Sequence, residues 1–103
     1  MEFIETAVFI KSAHGLLGED NLVDLQSVLM LRPEAGALIP GTAGCRKLRW
    51  ALPGRGKSGG ARVIYYWLRA DHQIYLLLAY AKNRQETLTP EQARLLRQII
   101  QDL

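Results

Sequence analysis

Between Ala35 and Ala70 the chain has no aspartate or glutamate, yet Arg46, Lys47, Arg49, Arg55, Lys57, Arg62 and Arg69 all fall within that stretch. A block of one sign creates a local positive potential far above what the formal net charge of +3 implies, and it attracts phosphates or an acidic partner. Cysteine is nearly absent too. Cys45 alone excludes an internal disulfide, and with only His14 and His72 beside it the ligands for a zinc cluster are too few. A reducing compartment and no cofactor are expected. Both histidines stand far from the basic block in sequence, which argues against a histidine-pair nuclease, and no acidic pair has the setting of a metal-dependent one. Long apolar runs are missing as well. The run around Leu76-Leu77-Leu78 is too short for a bilayer, and Met1-Glu2-Phe3 opens directly into mixed sequence without a signal peptide's basic start and apolar run. The expectation is a soluble, cytoplasmic protein with no membrane partner.

What is present is the material of one folded domain spanning 1–103. With 49% hydrophobic and 22% charged residues the composition is that of a globular chain rather than a disordered basic tail. A short strand is expected over 3–6, then a helix over 7–17 capped by Thr6 and ended by Gly15 or Gly18. Asp20 or Asn21 is the expected cap of a second helix, whose stripe is Leu22, Leu25, Val28 and Leu29 and which closes at Arg32-Pro33. Pro33, Gly36, Pro40, Gly41 and Gly44 mark a loop, followed by strands Cys45–Leu52, Ala61–Arg69 and Ile74–Ala81. Thr89, Pro90 and Gln92 form a capping-box signature for a last helix with the stripe Leu96, Ile99, Ile100 and Leu103. The expected fold class is α+β: two N-terminal helices, an antiparallel β-sheet and a C-terminal helix.

Alternation along a strand turns the basic block into a surface. Lys47 and Arg49 point to one face of their strand, with Leu48, Trp50 and Leu52 on the other. Arg62, Ile64 and Tyr66 share a face in the next strand, and Ile74, Leu76, Leu78, Tyr80 and Lys82 share one in the last. Cations on an otherwise apolar sheet need solvent or an anion. The loop Pro53–Gly60 invites comparison with a phosphate-binding P-loop, but Ala51 stands where that motif requires glycine and a strand follows, so ATP binding is rejected. Arg55 and Lys57 then read as a hairpin tip or a basic finger on a nucleic-acid backbone.

Three segments carry a resemblance. Cys45-Arg46-Lys47-Leu48-Arg49, then Gly56–Tyr66 with its Gly59-Gly60-Ala61-Arg62 core, then Tyr80-Ala81-Lys82-Asn83, together resemble the RelE/HigB-like toxins of type II toxin–antitoxin systems, most closely the HigB-type branch. The resemblance spans nearly the whole chain. It implies a ribosome-dependent endoribonuclease, an mRNA interferase that cleaves messenger in the A site and inhibits translation. A cognate helix-turn-helix, HigA-like antitoxin would silence it. Lys47 and Arg49 then match the family's basic pair, Arg62 its transition-state arginine, and Lys82 and Asn83 the pair after the last strand. Leu88 and Thr89 occupy the region where many members carry a stacking tyrosine, which Tyr66 or Tyr80 would replace. The expected catalytic set is Lys47, Arg49, Arg62 and Lys82, with Lys47 or Lys82 moving protons and the arginines stabilising charge. Arg46, Arg55, Lys57, Tyr66, Tyr80 and Asn83 are expected to bind RNA. The chemistry expected is 2′-hydroxyl attack without a metal. ParE-like relatives of the same fold inhibit gyrase instead, and an RNA-binding module without catalysis is the remaining alternative.

Overall fold

The computed structural model of the chain describes residues 1–52 and 60–103, so Arg55 and Lys57 lie outside the described residues. Among the described residues it is an α+β protein with three helices and a five-stranded mixed sheet. The elements in chain order are β1 (Glu2–Glu5), α1 (Ala7–Ala13), α2 (Glu19–Leu31), β2 (Ala37–Leu38), β3 (Arg46–Trp50), β4 (Ala61–Leu68), β5 (Gln73–Ala81) and α3 (Pro90–Gln101). The sheet order is β1-β5-β4-β3-β2. It differs from the expected all-antiparallel sheet, because β1 pairs parallel with β5, Phe3 opposite Ile74. No described helix is long and apolar enough to cross a membrane.

Helix α1 is shorter than its apolar run suggests. The Leu16 and Leu17 amides both turn back onto the Ala13 carbonyl, at 3.0 and 2.9 Å, and Gly15 takes φ +78, so the chain leaves the helix there. The Thr6 side chain caps the start by accepting from the Phe9 amide. That same hydroxyl donates to Leu76 O at 3.1 Å, and Ser12 Oγ accepts from the Ala79 amide at 3.0 Å. Both contacts lie on the side of β5 that β1 covers only as far as Leu76. Helix α1 thus satisfies part of an edge that would otherwise offer unpaired backbone to another chain. At α2 the cap is Gly18, without a side-chain bond, rather than Asp20 or Asn21. Glu19 and Asp20 fall inside its first turn, where they favour the helix dipole.

Two apolar clusters sandwich the sheet. On one side Phe9, Leu25, Leu29, Val63, Tyr65, Ile74 and Leu76 pack beneath α1 and α2. On the other, Cys45, Ile64, Leu77, Leu78 and Tyr80 pack beneath Leu96 and Ile100 of α3. Strict alternation along β5 is broken between them. The β4–β5 register runs Ile64 to Leu78 and then Tyr65 to Leu76, so Leu77 is an extra residue, a bulge. Ile74 and Leu76 therefore join the α1–α2 cluster while Leu78 and Tyr80 face α3, correcting the expectation that all four share a face. Leu103, expected in the buried stripe of α3, is 51% exposed because the helix ends at Gln101. Thr89, Pro90 and Gln92 form the full capping box there.

Candidate nucleic-acid interface

Strand register places the cations. Arg49 lies opposite Arg62, and Arg62 opposite Tyr80, so the three form one row across β3, β4 and β5. The adjacent row is Lys47, Ile64 and Leu78. Ile64, Leu78 and Tyr80 belong to the cluster under α3, which fixes the face for all of them. Strand pairing continues one step past β5 through the Lys82 amide, which donates to Gly60 O at 2.9 Å. By alternation Lys82 falls on the same side as Tyr80. The four residues expected to be catalytic, Lys47, Arg49, Arg62 and Lys82, thus belong to one face of the sheet. Neighbouring positions across strands stand roughly 5 Å apart, which brings Arg49 and Arg62 side by side, while Lys47 and Lys82 flank that pair at opposite corners of the face.

Like charges directly opposite one another on a sheet destabilise it. Packing therefore does not account for Arg49 facing Arg62. Arg49 is exposed, and Arg62, Lys47 and Lys82 are half-buried. Arg62 donates to its neighbour's carbonyl, Ala61 O, at 3.2 Å, which restrains the guanidinium without neutralising it. Lys47 also lines a cleft of about 300 Å³ bounded by Ala37–Pro40 and by Thr87 and Leu88. Among the described residues, no three His, Cys, Asp or Glu side chains come together as a metal cluster.

The remaining expected RNA contacts divide. Arg46 is not part of this face. It lies opposite Tyr65, whose ring belongs to the α1–α2 cluster, and its guanidinium donates to Gly36 O at 2.8 Å and Glu34 O at 3.2 Å. Its role is to hold the chain after α2, because alternation sends it away from Lys47. Tyr66 is on the α3 side but roughly 13 Å along β4 from Arg62, packed where a Cβ on Gly44 would meet its ring at 3.3 Å. Tyr80 is 7% exposed and has no free ring face for a base to stack on. Burial pushes its phenol above the usual tyrosine range, the Arg62 charge pulls it back, and Glu86 adds to the rise. Its hydroxyl donates to Glu86 O at 3.4 Å, so Tyr80 ties the segment after β5 to the sheet. Asn83 is exposed in the turn beyond Lys82.

Sequence reasoning missed what holds that turn. Gln85 Nε2 donates to Thr87 O at 2.9 Å and to Gln92 Oε1 at 3.0 Å, and the same Gln92 oxygen accepts from the Thr89 amide at 3.0 Å. The capping box of α3 and the turn bearing Lys82 and Asn83 are therefore one hydrogen-bonded unit. Gln92 was visible in the sequence as a cap, but its second partner was not. Cys45 packs under α3, its thiol pushed up by burial against a smaller lowering from Thr42. It behaves as a small core residue.

What the face offers chemically is a set of donors for phosphate oxygens, with arginine forks suited to bidentate contact. The sequence, scanned against protein-family models, matches none of them.

Proposed function

We propose that this chain is the toxin of a type II toxin–antitoxin system, similar to the RelE/HigB-like proteins, and that it cleaves messenger RNA in the ribosomal A site. The observation that carries the reading is the directly opposed pair Arg49 and Arg62, with Lys47 in the next row, on a face whose nearest sequence neighbours include no acid. A like-charged cross-strand pair costs stability, and an anion bound between its members removes that cost.

In the reaction the 2′-oxygen attacks the adjacent phosphorus, and the bond to the 5′-oxygen breaks. Lys47 or Lys82 takes the 2′-hydroxyl proton, the other group or solvent protonates the departing 5′-oxygen, and Arg49 and Arg62 stabilise the charge on the phosphorane oxygens. The products are a 2′,3′-cyclic phosphate and a 5′-hydroxyl. The ribosome and messenger are the functional partners, and an antitoxin with acidic or apolar segments restrains the activity by covering the basic face or preventing ribosome entry. The test is to add the protein to a translating extract and map the messenger ends. Codon-phased, ribosome-dependent cuts that disappear in Arg62→Ala support the reading. Inhibited DNA supercoiling with intact messenger assigns the basic face to a gyrase-directed role instead.

A further inference from the structure

Strand pairing ends at Lys82, whose amide donates to Gly60 O at 2.9 Å, so the chain beyond it is placed by turn and side-chain contacts. A turn follows at once, with the Arg84 amide donating to Ala81 O at 3.0 Å. The chain then passes from β5 toward β3 and β2, because Thr87 and Leu88 wall the cleft that Lys47 lines together with Ala37–Pro40. Segment 82–88 therefore begins with one of the two lysines assigned to proton movement and ends against the cleft of the other. Leu88 packs against the cluster under α3, which pins the far end. Tyr80 reaches the middle only through a long contact, its hydroxyl 3.4 Å from Glu86 O.

The short bonds in the middle belong to the Gln85 side chain, and backbone groups fix their polarity. Thr87 O can only accept, so the Gln85 nitrogen faces it, at 2.9 Å. The Thr89 amide can only donate, so the Gln92 oxygen faces it, at 3.0 Å. The same nitrogen and the same oxygen then meet each other at 3.0 Å. Gln85 thus acts as a double donor and Gln92 as a double acceptor. Changing glutamine to glutamate keeps the shape but removes every donor, so its effect depends on which of the two is changed. Gln92→Glu keeps both acceptor bonds, completes an ordinary capping box and adds a negative charge to the first turn of α3. Gln85→Glu turns a carboxylate onto Thr87 O and Gln92 Oε1, acceptor against acceptor.

We propose that Gln85 is a positioning residue that braces segment 82–88 against the start of α3 and so sets Lys82 relative to the Lys47 cleft. This rests on the reading of Lys47 and Lys82 as the groups that move protons. Gln85 touches no reacting atom and acts through where those lysines stand. The test compares wild type, Gln85→Glu and Gln92→Glu in two assays. One is cleavage of a short messenger on purified ribosomes, giving kcat and KM; the other is amide hydrogen exchange of the protein alone, read by NMR. Misplacing a reacting group by about 1 Å costs up to about 100-fold in rate, so kcat of Gln85→Glu is expected to fall by about 10- to 100-fold. Its KM stays unchanged, because Arg49 and Arg62 still hold the phosphate, and its Lys82 and Arg84 amides exchange faster. Gln92→Glu matches wild type in both assays. Equal kcat for wild type and Gln85→Glu, or the same loss in both variants, overturns the positioning role. Unchanged exchange in Gln85→Glu overturns the brace itself. Wild-type protein that leaves messenger intact overturns the reading of the lysines, and exchange alone then decides whether Gln85 braces the segment. Circular dichroism verifies folding at the assay temperature, and Gln85→Ala, which removes the donors without adding charge, replaces Gln85→Glu where that variant does not fold.

Discussion

Replacing Arg49 with glutamine separates folding from function at one position. Arg49 stands opposite Arg62 in the β3–β4 register, so the substitution removes one member of a like-charged cross-strand pair while keeping most of the aliphatic stem. Relief of such a pair is worth about 0.2–1 kcal/mol. For a domain of this size 1 kcal/mol moves the thermal midpoint by about 4–8 °C, so the variant melts roughly 1–8 °C higher than wild type. The gain is electrostatic and must shrink with salt. The Debye length is about 30 Å at about 0.01 M and about 3 Å at about 1 M, so circular-dichroism melts at those two strengths show most of the difference at the lower one. On the proposed function, messenger cleavage by the same variant falls, because the charge that disfavoured the fold is the charge that would hold the phosphate. A variant that melts lower than wild type at low salt, or a gain indifferent to salt, refutes the argument that this pair is a strained, anion-seeking feature.

Other substitutions probe the supports of the site. Gly36→Ala places a Cβ 2.9 Å from the Tyr65 ring and 3.0 Å from the Lys47 carbonyl, so urea denaturation shows a loss of about 1–3 kcal/mol from overpacking. In Tyr65→Phe the Gly36 amide loses its 2.8 Å acceptor and Pro33 O its 2.7 Å donor, and the same assay shows a loss of about 1–3 kcal/mol. Thr89→Ala removes the cap of α3 and costs about 1 kcal/mol in urea denaturation, and on the proposed function it also lowers cleavage, because the cap shares Gln92 with the Lys82 turn. Burial raises the phenols of Tyr65 and Tyr80, so the folded protein holds protons that the unfolded chain releases near pH 10. That stability is fully present below the unfolded value and is lost as pH rises through the folded ones, so chemical-denaturation midpoints fall in the alkaline limb. Arg62→Ala, which removes a charge that lowers the Tyr80 phenol, moves the ultraviolet titration of Tyr80 further upward.

Local chemistry made much of this protein legible without coordinates. The Thr89-Pro90-Gln92 signature marks the start of α3 because a cap bonds within four residues, and the period of two in Lys47-Leu48-Arg49 sorts cations from core because a strand alternates whatever it pairs with. Tertiary structure alone decided what depends on distant partners. The Leu77 bulge reverses the faces of half of β5, β1 adds a parallel edge, and the Gly36 and Glu34 carbonyls draw Arg46 away from the basic face. Burial likewise makes Tyr80 an anchor rather than a stacking platform. Each of these is settled by backbone groups or packing neighbours many residues away, whose positions no local spacing encodes.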